Sequence, residues 1–183
     1  MKFLGRCLVI GLFAATAFAK ESDPPDSIYH LEAALTDQAG RPQRLDMYRG
    51  SPVLVTLFYA SCPATCPLII DTLRATEKQI PEAQRADLRV LMISIDPGRD
   101  TPAELKKLAE QRRIDTSRWT LARTDEATVR TIAALLNVQY RELPSGEFNH
   151  ASIITLLSPE GEIVASSPKL GTPDPELLAK LGD

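Results

Sequence analysis

Cysteine is scarce in this chain, three among 183 residues, and so are histidine, with two, and tryptophan, with one. Three cysteines cannot build the framework that staples small secreted domains, and a chain of this length with 44% hydrophobic residues buries enough core without one. Fourteen prolines and nine glycines are too few for a collagen-like or low-complexity polymer. Basic residues are outnumbered, 21 against 24 acidic, and the formal charge of −3 offers no footprint for phosphate backbones, so nucleic acid is not an expected partner. No internal repeat, linker or second core is visible, which leaves one ordinary globular domain.

The first residues read as an address. Lys2 and Arg6 precede an apolar stretch from Cys7 to Phe18, and Ala17-Phe18-Ala19 supplies small residues at the positions a signal peptidase accepts. The stretch falls short of the roughly 20 residues needed to cross a bilayer, so the expectation is a signal peptide over 1–19, cleaved near Ala19, and an exported, soluble product in a periplasmic or equivalent space. A membrane attachment then arises only if this segment is retained. Cleavage removes Cys7, takes the formal charge from −3 to −5 and leaves two cysteines, Cys62 and Cys66.

Residues 20–27 are acidic and proline-containing without apolar periodicity, which predicts a loose leader before a single domain over 28–183. Between Ile28 and Leu45 a turn-like Asp37-Gln38-Ala39-Gly40 predicts two antiparallel strands. Val53 to Phe58 and Arg89 to Ile95 are continuous apolar, β-branched runs of the kind found in strands covered on both faces. A helix is expected over Ala64–Ile80, stopped by Pro81. Another begins at Thr101-Pro102-Ala103-Glu104, with a capping hydroxyl, a first-turn proline and a glutamate placed to reach back. Trp119 to Ala122 reads as a short strand. A helix started by Thr124 and Asp125 buries Val129, Ile132, Ala133 and Leu136. Ser152–Leu157 and Glu162–Ala165 form an expected hairpin around Ser158-Pro159-Glu160-Gly161, and Asp174-Pro175-Glu176 opens a last helix. This order describes an α/β domain with a mixed sheet, flanking helices and an N-terminal strand pair, and a thioredoxin-like fold fits it best.

Cys62 and Cys66 then lie where the first buried strand passes into its helix, at the carboxyl edge of the sheet where α/β folds bind ligands. Their i, i+4 spacing lets both sulfurs face one side, to form a disulfide or to clamp one metal ion. Unpaired N–H groups and the positive dipole end at a helix start favour the thiolate that either chemistry uses. A purely structural staple would close so short a loop that it restrains the unfolded chain little. A thiol–disulfide oxidoreductase or redox sensor remains open, although such enzymes usually place two residues between their cysteines and this chain has three. In the metal reading His150 is the third ligand, since Asn149-His150-Ala151 leads into the Ser152–Leu157 strand at the same edge. His30, in the early strand pair, is expected at the surface. Two sulfurs and one imidazole make a soft, low-coordinate set that selects copper, Cu(I) above all, over hard cations, whereas zinc usually takes a fourth ligand. A peroxidase on this fold would need a cysteine activated by threonine and arginine, and Thr65 directly before Cys66 does not supply that.

Three separated motifs carry a resemblance to a known family. Cys62-Pro63-Ala64-Thr65-Cys66-Pro67, Ser94-Ile95-Asp96-Pro97-Gly98-Arg99-Asp100-Thr101-Pro102, and His150 followed by a strand and Ser158-Pro159-Glu160-Gly161 are similar to the signatures of the Sco/SenC proteins. These are thioredoxin-like copper chaperones for the binuclear copper site of cytochrome c oxidase. The resemblance implies that Cys62, Cys66 and His150 bind Cu(I) or Cu(II), and that the loop before His150 moves as metal enters or leaves. It further implies delivery of copper to oxidase subunit II or another copper or thiol protein, or reduction of its thiols; a monomer is expected. Many members carry Asp where this chain has Ala64 and Asn149, so fewer carboxylates surround the site and weaker copper binding is expected. The Asp96 to Pro102 stretch also reads as plain architecture, a turn followed by a helix start, with Arg99 and Asp100 as possible partner contacts.

Overall fold

The computed structural model describes residues 23–62 and 65–182. The expected signal peptide lies outside the described residues, as do Pro63 and Ala64. Residues 23–27, read above as loose, are tied down: Asp23 accepts from Arg49, and the buried Ser27 hydroxyl donates to the Glu160 carbonyl at 2.5 Å. Ile28–His30 is a 3-10 turn capped by the Ser27 side chain, so the predicted strand pair is confined to β1 (Ala34–Asp37) and β2 (Pro42–Arg44). These strands pair antiparallel across the Gln38–Gly40 turn. A second 3-10 turn, Leu45–Tyr48, follows.

The apolar run in 53–58 becomes β3 (Val53–Phe58), with every residue buried. Helix α1 (Thr65–Gln79) carries the chain across the sheet and buries Ile69, Ile70 and Leu73 against it. Truncating a leucine as enclosed as Leu57 or Leu73 costs about 3 kcal/mol, because the cavity left behind does not collapse. The one-turn helix α2 (Glu82–Arg85), absent from the sequence expectation, fits between Pro81 and β4 (Arg89–Ser94). Helix α3 (Pro102–Gln111) starts as predicted, with the Thr101 hydroxyl accepting the Glu104 N–H at 3.3 Å. The Glu104 carboxylate, however, turns to Lys107 at 3.3 Å. Strand β5 (Trp119–Arg123) and helix α4 (Glu126–Leu135), capped by Asp125, complete the central α/β portion.

Beyond α4 the chain makes a hairpin that the sequence reading did not foresee, β6 (Tyr140–Glu142) and β7 (Phe148–His150). It then returns to the sheet as β8 (Ile154–Leu157) and β9 (Ile163–Ser167) and ends in α5 (Pro175–Gly182). The seven-stranded sheet runs β2-β1-β5-β4-β3-β8-β9, with β3, β4 and β5 parallel and the outer pairings antiparallel. This is the expected thioredoxin-like mixed sheet. The β8–β9 turn needs its glycine: Gly161 has φ +87°, and a Cβ there would stand 2.5 Å from the Tyr29 ring. No helix among the described residues is long and apolar enough to cross a membrane.

Candidate metal centre

The cysteine motif leaves β3 at its carboxyl end. One main-chain oxygen organises it: the Tyr59 carbonyl accepts the Cys62 N–H at 3.2 Å and the Cys66 thiol at 3.3 Å. The Cys66 N–H, in the first turn of α1, points at the Cys62 sulfur, 3.4 Å away. Both cysteines are buried, and no disulfide joins them. Burial pushes the Cys66 thiol well above its ordinary pKa, so this sulfur rests protonated in the described conformation. At Cys66 desolvation therefore outweighs the helix-start effect anticipated from the sequence.

His150 reaches this neighbourhood on the β6–β7 hairpin and not on the edge of the main sheet. Its strand is registered Tyr140↔His150 and Glu142↔Phe148. Side chains two apart on a strand share a face, which sets Phe148 and His150 together and turns the exposed Asn149 the other way. Both rings meet Tyr59, with centroids 5.4 Å (Phe148) and 5.9 Å (His150, edge-on) from the phenol. Burial raises the Tyr59 pKa, and a hydrogen bond to the Cys62 side chain raises it further. Tyr59 thus touches all three sequence-predicted ligands: its carbonyl holds both cysteines, its hydroxyl meets Cys62 and its ring meets His150. An aromatic residue between a buried strand and a dithiol was the available sign of this role.

The donor set fits a soft metal ion. Nδ1 of His150 lies 3.3 Å from the Ala151 carbonyl, a contact that places the proton on Nδ1 and leaves the Nε2 lone pair open. Nε2 is buried with no hydrogen-bond partner among the described residues, an atom placed to accept a bond. Desolvation lowers the His150 pKa and keeps the ring neutral, the form that ligates. Among the described residues no three His, Cys, Asp or Glu side chains are grouped closely enough to enclose an ion, so the hairpin and the cysteine loop stand as neighbours and not as a closed cage. His30 stays apart, exposed, with its ring on the Pro24 carbonyl at 2.8 Å.

The Asp96–Asp100 segment, which reads as architecture in the sequence, supports both sides of this centre. Asp100 is buried and accepts the Ala60 N–H at 2.9 Å and the Ser94 hydroxyl at 2.5 Å, and burial raises its pKa. Arg99 pairs with Asp96, donates to the Gly146 carbonyl and sets its guanidinium 5.6 Å from the centre of the Phe148 ring.

Known proteins share this arrangement of strands and helices. A SCO1 protein homolog of Bacillus subtilis is 24% identical over 136 residues, covering 70% of this chain and 67% of its own length. The chain spans 35% of the length of a Stutzerimonas stutzeri relative, to which it is 32% identical over 72 residues. The structure of Bradyrhizobium japonicum ScoI with copper bound aligns at a TM-score of 0.64 and 26% identity, covering 81% of this chain and 94% of that one. BsSco, a member of the Sco family of cytochrome c oxidase assembly proteins with a disulfide switch, aligns at a TM-score of 0.67 and 20% identity over 88% of this chain and 96% of that one. With the SCO1/SenC model matching residues 25–182, the chain belongs to the SCO1/SenC family.

Proposed function

We propose that the protein is an exported copper carrier in which Cys62, Cys66 and His150 take up one copper ion as cargo and pass it to cytochrome c oxidase subunit II or another thiol-bearing acceptor. The observation that carries this reading is the buried Nε2 of His150, without a hydrogen-bond partner among the described residues, on a ring that packs against Tyr59, whose own carbonyl holds both cysteines. The copper bound by the Bradyrhizobium japonicum relative supports the same cargo. Two sulfurs and an imidazole suit Cu(I), and the same set holds Cu(II) in a tetragonal site once a further donor joins. Export through cleavage near Ala19 and a monomeric state belong to this reading.

Uptake begins with thiol deprotonation at Cys66, whose proton the incoming ion displaces. The neutral His150 ring then approaches through its lone pair while Nδ1 keeps its carbonyl contact. The decisive experiment reconstitutes the reduced protein with Cu(I) and with Cu(II) and repeats both with His150→Ala. The expected result is one copper per wild-type chain and, in the variant, a changed spectrum with weaker retention. Identical stoichiometry and spectrum in both proteins would remove His150 from the site.

A second reading is a thiol–disulfide oxidoreductase or redox sensor, favoured by two buried, reduced cysteines with the Cys66 N–H aimed at the Cys62 sulfur. Reduction of a protein disulfide that survives His150→Ala and disappears in Cys62→Ser selects this reading.

A further inference from the structure

We propose that Arg99 is a positioning residue that fastens the His150 hairpin to the segment holding the cysteine loop, and so sets where the imidazole stands relative to the two sulfurs. The inference rests on the copper reading for its purpose, and its geometry on contacts within the chain itself. Arg99 and Asp100 are consecutive and divide the work. Asp100 grips Ala60, two residues before Cys62, through the N–H at 2.9 Å. Arg99 grips the hairpin at two places: its Nη2 donates to the Gly146 carbonyl, and its guanidinium stacks over Phe148 at 5.6 Å. Phe148 lies two residues before His150 on the same strand face and touches Tyr59.

The hairpin turn is shaped for this contact. Gly146 has φ +80°, and a Cβ there would come within 3.0 Å of Arg99 Nη1, so the backbone approaches the guanidinium where a side chain would crowd it. The turn closes with Gly146 N–H on the Leu143 carbonyl at 2.8 Å and Leu143 N–H on the Glu147 carbonyl at 2.7 Å. Asp96 takes the Nε side of the guanidinium and fixes its plane, which leaves the other edge for the hairpin. A lysine has one compact ammonium and cannot hold Asp96, Gly146 and the Phe148 face together. The Arg99 side chain is half exposed, 49%, so the fastening can release without unpacking the core.

Amide hydrogen exchange on reduced, metal-free full-length protein tests the inference. In Arg99→Met the Leu143, Gly146 and Ala151 amides exchange roughly fivefold to tenfold faster, while the amides of β3 and β4 keep their wild-type rates. Arg99→Lys stays close to Arg99→Met. In Cu(II)-loaded protein the nitrogen coupling from His150, sharp in the wild type, spreads over several geometries in Arg99→Met at unchanged copper stoichiometry. Unchanged hairpin exchange in Arg99→Met overturns the inference. So does an equal acceleration in β3 and β4, which would make Arg99 a general stabiliser. If His150→Ala leaves the copper spectrum intact while Arg99→Met still loosens the hairpin, the copper reading fails and the fastening stands.

Discussion

Asp100 accepts the main-chain N–H of Ala60 at 2.9 Å, and through this bond a helix-start motif forty residues downstream holds the loop that carries the cysteines. Its carboxylate also receives the buried Ser94 hydroxyl, so a half-buried N–H and a buried hydroxyl depend on one side chain. Asp100→Ala leaves both without this acceptor and is expected to lower unfolding free energy by about 2–3 kcal/mol. Asn at this position keeps an accepting oxygen and removes a charge that burial disfavours, so Asp100→Asn should cost no more than about 1 kcal/mol. Urea unfolding of the two variants separates these cases. Equal losses in both would show that the charge, and not the accepted hydrogen bonds, supports the loop.

The parts of this architecture that were legible in the sequence are those in which one chemical property repeats. Val53–Phe58 and Arg89–Ser94 announced buried parallel strands through unbroken apolar runs, and Val129, Ile132, Ala133 and Leu136 announced the inner face of α4 through helical spacing. The β6–β7 hairpin had no such signal. Tyr140-Arg141-Glu142 is largely exposed and only three residues long, and its pairing comes from a turn closed by backbone bonds. The sequence places His150 directly ahead of the Ser152–Leu157 strand, but gives no sign that it closes a hairpin of its own before β8 begins. Tyr59 carries no sequence signal for a different reason, since half of its role belongs to a carbonyl oxygen that every residue possesses. The Asp96–Asp100 motif shows in the sequence as a turn before a helix start, but which backbone groups its side chains reach depends on segments distant in sequence.

The hairpin register bears directly on one departure from the family pattern. Asn149 is exposed and alternates away from the face shared by Phe148 and His150, so a carboxylate at this position would act across solvent and not on the ligands directly. Asn149→Asp is therefore expected to change copper affinity by less than about threefold, with the small difference disappearing in high salt. Competition with a Cu(I) chelator at two ionic strengths measures this. A tenfold gain that persists in salt would mean the side chain turns inward when metal binds.

Glu77 offers a test of the helix–sheet packing that carries the centre. Its buried carboxylate accepts from Arg118 at 2.7 Å and from the indole N–H of Trp119 at 3.1 Å. Glu77→Ala strands the buried indole N–H, while Arg118 keeps Asp115 and the Arg85 carbonyl, and should destabilise the domain by about 1–3 kcal/mol, whereas Glu77→Gln keeps an acceptor for the indole and loses about half as much. Because the chain has one tryptophan, its fluorescence reports this site alone. Wild-type-like emission and unfolding midpoint in Glu77→Ala would show that water replaces the carboxylate at no cost.

Asp37 sets the expected response to acid. It is buried, which by itself raises a carboxyl pKa, yet the N–H groups of Arg41 and Ala39, each at 2.8 Å, and the Arg41 guanidinium, also at 2.8 Å, outweigh burial and hold it below the usual carboxylate range. A carboxylate whose folded pKa lies below its unfolded value, near 3.9, contributes its full stabilisation above that value and loses it as pH falls through the folded pKa. Asp37→Asn removes the charge but keeps an oxygen at the β1–β2 turn, so the wild type should exceed it by about 1–2 kcal/mol at pH 7. The difference should shrink as pH falls from about 4 through the lowered folded pKa of Asp37. Thermal unfolding of both proteins between pH 7 and pH 2 follows that gap. If it stays constant over the whole range, Asp37 acts through shape alone and its ionisation adds nothing to the turn.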